Sequence, residues 1–236
     1  MDLRELDTMG GFFALRTSGD APGGGAEGVP LAEVYAGDTG PLTRRVDLVA
    51  ARHTPPERRV AASIAQLGLA ARLWSVALGA AAFHGRLPDL DPARLRWSPE
   101  GTTPDDLWLD LADGPRTLPA TAEALRAQVQ DAHLAPLAEA LRRDTPVSRR
   151  LLRGNAGSAL ASAVRQIDAW SRDTGRGDVA ERAAALAALL FRHPDLSGTV
   201  HGPGMRRNSC CLYYRAPRGG LCGDCVFDRP PGRGGA

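Results

Sequence analysis

Four cysteines stand close together near the C-terminal end of the chain: Cys210 and Cys211 are adjacent, and Cys222 and Cys225 are separated by two residues. The pattern is C-C-x10-C-x2-C, and four thiolates are a complete ligand set for one iron–sulfur cluster. Cysteines separated by two residues can grip one metal, because the turn between them brings both sulfurs to one side. Gly223 inside that turn is expected to permit it, so Cys222 and Cys225 are expected to share an iron. An adjacent pair is harder to place on one tetrahedral ion, since neighbouring side chains in extended backbone diverge. Two metal atoms relax that difficulty. The spacing therefore favours a [2Fe-2S] centre held by Cys210, Cys211, Cys222 and Cys225 over structural zinc, whose ligands usually come as two closely spaced pairs.

Three other readings of these residues stay open. The same four thiolates could hold a structural zinc. A redox dithiol at Cys222 and Cys225 wants a helix N-terminus within a βαβ unit, yet only 11 residues follow Cys225, among them Pro230, Pro231 and three glycines. Paired disulfides suit a small secreted chain, whereas Met1 to Arg16 carries Asp2, Glu5 and Asp7 and no long apolar run, unlike a secretory signal. A cytoplasmic location is expected, where thiols stay reduced. The most apolar stretch, Leu186 to Phe191, falls far short of the roughly 20 residues that span a bilayer, so no transmembrane segment is expected.

Composition narrows the rest. A chain of 236 residues with 43% hydrophobic content can bury one sizeable core. A net charge of +2, from 29 basic and 27 acidic residues, gives no argument for binding nucleic acid. Every basic residue apart from histidine is arginine. Around the cysteines the balance shifts: Arg206, Arg207, Arg215, Arg218, Arg229 and Arg233 face only Asp224 and Asp228. As a group they are expected to stabilise an anionic centre and raise its potential. The histidines, His53, His84, His133, His193 and His201, are scattered without metal-ligand spacing and are expected to be structural. Gly23 to Gly28 satisfies G-x-G-x-x-G, but it follows Pro22 rather than a strand, and Pro30 interrupts the helix start that a nucleotide site needs.

The elements that must position the cysteines are mainly helical. Residues 17–41, rich in Gly, Pro and Ser, read as a loop after a short N-terminal segment. From Glu57 to Phe83 the residues Val60, Ile64, Leu67, Ala71, Trp74 and Leu78 recur at helical intervals. Leu95 and Trp97, then Leu107, Leu109 and Leu111, alternate around a turn and predict a small hairpin. Residues 120–143 show helical spacing through Leu125, Val129, Leu137 and Leu141, with Pro136 expected to split them into two short helices. Ser148 can cap a helix to about Arg172, and Asp178 with Glu181 resembles a capping box for the last one. The fold class expected is mainly α: a helical body over 46–200 with a small hairpin, preceded by residues 1–45, and a C-terminal irregular cysteine-rich cluster-binding loop over 201–236.

The cysteine tail, with Arg206 and Ser209 before it and Tyr213, Tyr214 and Arg215 after, resembles the FhuF family of ferric-siderophore reductases. Leu151 to Leu160, which reads L-L-R-G-N-A-G-S-A-L, is similar to that family's Gly-Asn-Ala-x-Ser-Ala helix, and His133 to Leu137 to the segment before it. The resemblance implies a cytoplasmic [2Fe-2S] enzyme that reduces the Fe(III) of an incoming siderophore, commonly of hydroxamate type. It implies a siderophore-binding helical body and a separate protein as electron donor, since no nicotinamide or flavin site is visible, and it leaves transient membrane association open. Tyr213 and Tyr214 are expected to pack the loop onto the body. Asn155 and Ser158 are expected to serve close helix packing or to touch the siderophore. Two alternatives remain: a siderophore-binding protein with a structural four-cysteine zinc site, and a [2Fe-2S] electron carrier or redox sensor.

Overall fold

The computed structural model describes residues 1–20, 26–54 and 57–231. Its architecture is mainly α, as expected, with α3 (Arg58–His84) at the centre. The apolar stripe read from the sequence is only part of what α3 buries. Ala61, Ala62, Ala70, Ala77, Ala80 and Ala81 are buried as well, because small side chains let neighbours approach on every side. The helix is buried nearly all round, as a core helix is. It is also long and apolar enough to cross a membrane, and 78% of that window lies inside the protein. Its neighbours are α2 (Gly40–His53), α6 (Arg149–Thr174) and α7 (Gly177–Leu190).

The α3–α6 pair is the frame for the cysteine loop. Leu152, Ala156, Leu160, Ala163 and Ile167 form the buried stripe of α6, as their spacing predicts. Gly175, in the left-handed region at φ 70°, ends α6 with its amide on the Ser171 carbonyl, the usual glycine stop. The capping box expected at Asp178 and Glu181 does not form, because α7 starts at Gly177 with Arg176 as its N-cap, two positions before the expected cap. Asp178 instead pairs with Arg176 and Arg182.

The hairpin is present: β4 (Leu95–Trp97) and β5 (Leu107–Leu109) pair antiparallel, Leu95 opposite Leu109 and Trp97 opposite Leu107. It belongs to a four-stranded sheet in the order β1-β5-β4-β2, completed by β1 (Arg16–Thr17) and β2 (Val29–Pro30). A second ladder joins β3 (Arg86–Pro88) to β6 (Thr117–Pro119). The loop expected over residues 17–41 is in part structured. Pro30 leads directly into α1 (Leu31–Ala36), whose Leu31 and Val34 reach the core. Of the glycine-rich motif, Gly23 to Gly25 lie outside the described residues; Gly28, at φ 86°, packs on the Trp97 backbone. Residues before β1 also join the core through Leu6 and Phe13. Arg72, 1% exposed, holds them there, donating to the Gly11, Phe12 and Ala14 carbonyls and to Asp106.

Pro136 does not split the chain into two helices. The run from Ala122 to Asp144 is continuous: α4 (Ala122–Leu125), a π-helical stretch (Arg126–Leu134), then α5 (Ala135–Asp144). The wider π turns shift the hydrogen-bond register, so Pro136 falls in the first turn of α5, where a missing amide costs nothing. His133, at the end of the π stretch, is fully buried between the Tyr35 hydroxyl, 3.0 Å from Nδ1, and the Leu90 carbonyl, 2.6 Å from Nε2.

Burial pushes His133 down from its usual 6.5 to about 4, so the unfolded chain binds a proton that the folded chain refuses. Its contribution to stability is complete above pH 6.5 and is lost as pH falls from there toward about 4, at a slope of up to about 1.4 kcal/mol per pH unit. Urea titrations across that window should show the loss, and His133→Gln, which cannot titrate, should flatten it.

Candidate metal centre

The cysteine loop leaves the body along a short antiparallel ladder of β7 (Val200–His201) with β8 (Arg206–Arg207). Strand alternation sends Arg206 and Arg207 to opposite sides. Arg206 stays near the surface, where it donates twice to the Cys225 carbonyl, at 3.0 and 2.7 Å, and pairs with Asp228. Arg207 turns inward and is fully buried.

The sequence Gly154-Asn155-Ala156-Gly157-Ser158 of α6 receives it. Arg207 donates from Nη2 to Asn155 Oδ1 and from Nε to the Ser209 carbonyl. Asn155 in turn donates from Nδ2 to Gln66 Oε1 at 2.9 Å and to the Ser63 carbonyl at 3.1 Å, both on α3. Ser158 donates to the buried Asp224 carboxylate at 2.5 Å. The two glycines let the loop come this close. A Cβ at Gly157 would stand 2.0 Å from Thr199 Oγ1 and 2.5 Å from its Cβ, and one at Gly154 would stand 1.8 Å from Ser209 Oγ. Asn155 and Ser158 thus anchor the loop. Asn155 serves the packing of α6 on α3, as expected; that both residues also anchor the loop was not readable, because Arg207 and Asp224 lie more than 50 positions away.

On this base the four thiols are unbridged, with Cys211 and Cys225 buried and Cys210 and Cys222 half-buried. The sulfurs of Cys211 and Cys222 lie 3.6 Å apart. The Cys222–Cys225 turn is closed by the Cys225 amide on the Cys222 carbonyl at 3.0 Å, and Gly223 does not adopt a positive φ. The residue in the left-handed region is Leu212, at φ 69° just after the adjacent pair, and its amide lies 3.3 Å from Cys210 Sγ. Among the described residues no three Cys, His, Asp or Glu side chains converge tightly enough to hold one ion. Two close sulfurs with two flanking ones suit a centre of two metal atoms.

The electrostatics follow from the same contacts. The Cys211 thiol is lowered to about 7, first by its hydrogen bond with Cys222 and further by the Arg207 charge. The same hydrogen bond, with burial, pushes Cys222 up, and burial raises Cys210. Arg207 Nη1 is buried without a hydrogen-bond partner. A buried donor left unmatched costs about 1–3 kcal/mol, and the charge of this side chain favours the thiolates of Cys210, Cys211 and Cys222. The residues therefore fit an anionic sulfur cluster.

Of the remaining loop arginines, Arg215 pairs with Glu57, Arg218 and Arg229 are exposed, and Arg233 lies outside the described residues. Tyr213 packs edge-on against His53 of α2, and Tyr214 against Phe227, so both serve packing. Gly219 closes the segment between the cysteine pairs, since a Cβ there would meet the Tyr213 carbonyl oxygen at 2.0 Å.

Gly157→Ala should loosen the loop. The helix gains about 1 kcal/mol of propensity, and overpacking against Thr199 costs about 1–3 kcal/mol. Gly68→Ala on α3, where a Cβ meets nothing within 4 Å, gains without the penalty. In the metal-free protein, thiol alkylation should be faster for Gly157→Ala than for wild type and unchanged for Gly68→Ala, which should also melt higher.

A family model described as FhuF 2Fe-2S C-terminal domain matches residues 207–227. The match begins at the buried arginine and takes in all four cysteines. No curated protein matches the chain. By its sequence and by the site it builds, the segment from Arg207 to Phe227 is similar to the [2Fe-2S] C-terminal domain of the FhuF family.

Proposed function

We propose that this protein reduces ferric siderophores in the cytoplasm, with Cys210, Cys211, Cys222 and Cys225 as the cluster ligands. One observation carries the reading: a family-matched cysteine loop is pinned to the helical body by a buried guanidinium that keeps one donor for the cluster. The 3.6 Å separation of Cys211 and Cys222 supports a pairing in which these two would hold one iron and Cys210 and Cys225 the other.

When bound, a [2Fe-2S] centre supplies a one-electron store. The chain's own residues set how readily it fills. The uncompensated charge of Arg207 and its Nη1 donor favour the more negative, reduced state. The Leu212 and Phe227 amides, 3.3 and 3.5 Å from the sulfurs of Cys210 and Cys225, act in the same direction. Hard oxygen chelators hold Fe(III) far more tightly than Fe(II), so one electron delivered to the chelate releases its iron. That chemistry needs no general acid or base. The electron is supplied by a separate donor protein.

Absorbance and electron paramagnetic resonance before and after dithionite test the centre. A colourless, silent protein containing zinc would sink the proposal. The reduced centre should be reoxidised rapidly by a ferric trihydroxamate and not by the metal-free chelator; indifference to both would leave an electron carrier. Cys222→Ser and Cys225→Ser should each abolish the wild-type spectrum. Arg207→Met should keep a cluster but lower its potential by roughly 60 mV, which is tenfold in a one-electron equilibrium.

A further inference from the structure

We infer that the cleft between the π-helical stretch and α6 is the ferric-chelate site, and that Gln66 and Asn155 couple it to the metal centre. The inference rests on the reduction proposed above and adds where the substrate sits.

The cleft has a volume of about 470 Å³, within the range of small-molecule sites. Leu134, Pro136, Leu152 and Ala156 give it an apolar floor. One wall is the π-helical stretch, a geometry concentrated at functional sites. On that wall Gln130 Oε1 is buried with no hydrogen-bond partner, an acceptor waiting for a donor. Linear trihydroxamate chelators carry amide N–H groups of the required kind.

The rim selects by charge. It holds Asp131, Glu139 and Asp195 against Arg149 and Arg153. Neither arginine is spare: Arg149 pairs with Glu139 at 3.0 Å, and Arg153 donates to the Pro194, Asp195 and Ser197 carbonyls. The acids are paired as well, Asp131 with Arg126 and Asp195 with His193, so a trianionic tris-catecholate finds no unspent cation there, whereas a neutral trihydroxamate needs none.

Gln66, only 1% exposed, lines this cleft and belongs to the network that holds the cysteine loop. Asn155 Nδ2 donates to Gln66 Oε1 at 2.9 Å and to Ser63 Oγ at 3.2 Å, and Ser63 Oγ donates to the Cys211 carbonyl at 2.7 Å. Three hydrogen bonds therefore join the cleft wall to the backbone of a cysteine ligand. One electron crosses: chelated Fe(III) becomes Fe(II), and the centre is oxidised by one electron, restored by dithionite in the test. Protons for the released hydroxamate oxygens come from water at the rim.

Binding and reduction can be measured apart, using the redox-inert gallium(III) complex of desferrioxamine B for binding and its iron(III) complex for reoxidation. Ala135→Trp fills the cleft from an exposed lining position. It should weaken gallium-chelate binding and slow reoxidation by about tenfold or more, about 1.4 kcal/mol, with the cluster spectrum and its reduction by dithionite unchanged. Gln66→Leu should slow reoxidation at saturating chelate, where any change in binding no longer enters, with the cluster spectrum unchanged. The gallium complex of a tris-catecholate should not compete. Binding and reoxidation both indifferent to Ala135→Trp, or blocked instead by Ser148→Trp in the separate cleft beside Cys210, overturn the site and leave the reductase reading standing. Binding lost in Ala135→Trp, with no reoxidation by the ferric chelate even in wild type, keeps the site and overturns the reductase reading.

Discussion

A buried guanidinium holds the cysteine loop to the helical body, and the site depends on it. Arg207 is fully buried and takes part in no salt bridge among the described residues. An arrangement so costly persists only when the surroundings supply strong acceptors. Asn155 and the Ser209 carbonyl supply two of them. A bound cluster, itself anionic, supplies the compensating charge. Loop and cofactor would thus stabilise one another.

That arrangement places demands on the helices beneath it. Asn155 can accept from Arg207 only because its amide nitrogen is held by Ser63 and Gln66 on α3, so the polar contacts between α3 and α6 lie within an otherwise apolar interface. Buried polar groups are tolerable when their members are satisfied, and here the loop closes the network, leaving only Arg207 Nη1 of that side chain without a partner. The alanine-rich surface of α3 lets the helices pack tightly around this polar strip, and Gly154 and Gly157 let the loop settle on the opposite side of α6.

Much of this was legible in the sequence. Periodicity located α3 and α6 and their buried stripes, alternation located the β4–β5 pairing, and cysteine spacing marked the cofactor. What escaped depends on partners distant in the chain or on adjustments of the backbone. The roles of Asn155 and Ser158 follow from residues 207 and 224. The continuous helix through Pro136 follows from a π register that no propensity encodes. The approach of Cys211 to Cys222 and the left-handed backbone of Leu212 between the cysteine pairs carry no signal in the local sequence. Short elements such as α1, a single buried turn and a half, carry too few residues to show a period.

Asp224 gives the loop a second fixed point. With Ser158 on its carboxylate and the Arg207 amide on its carbonyl at 3.0 Å, the segment between the cysteine pairs is clamped to one face of α6 at both ends. A shell held this firmly has little room to shift when its charge changes, and a preorganised polar environment costs no rearrangement at the moment of reaction. For the electron transfer proposed above, such a shell would keep the reorganisation energy small, leaving distance and driving force rather than movement of the protein to set the rate.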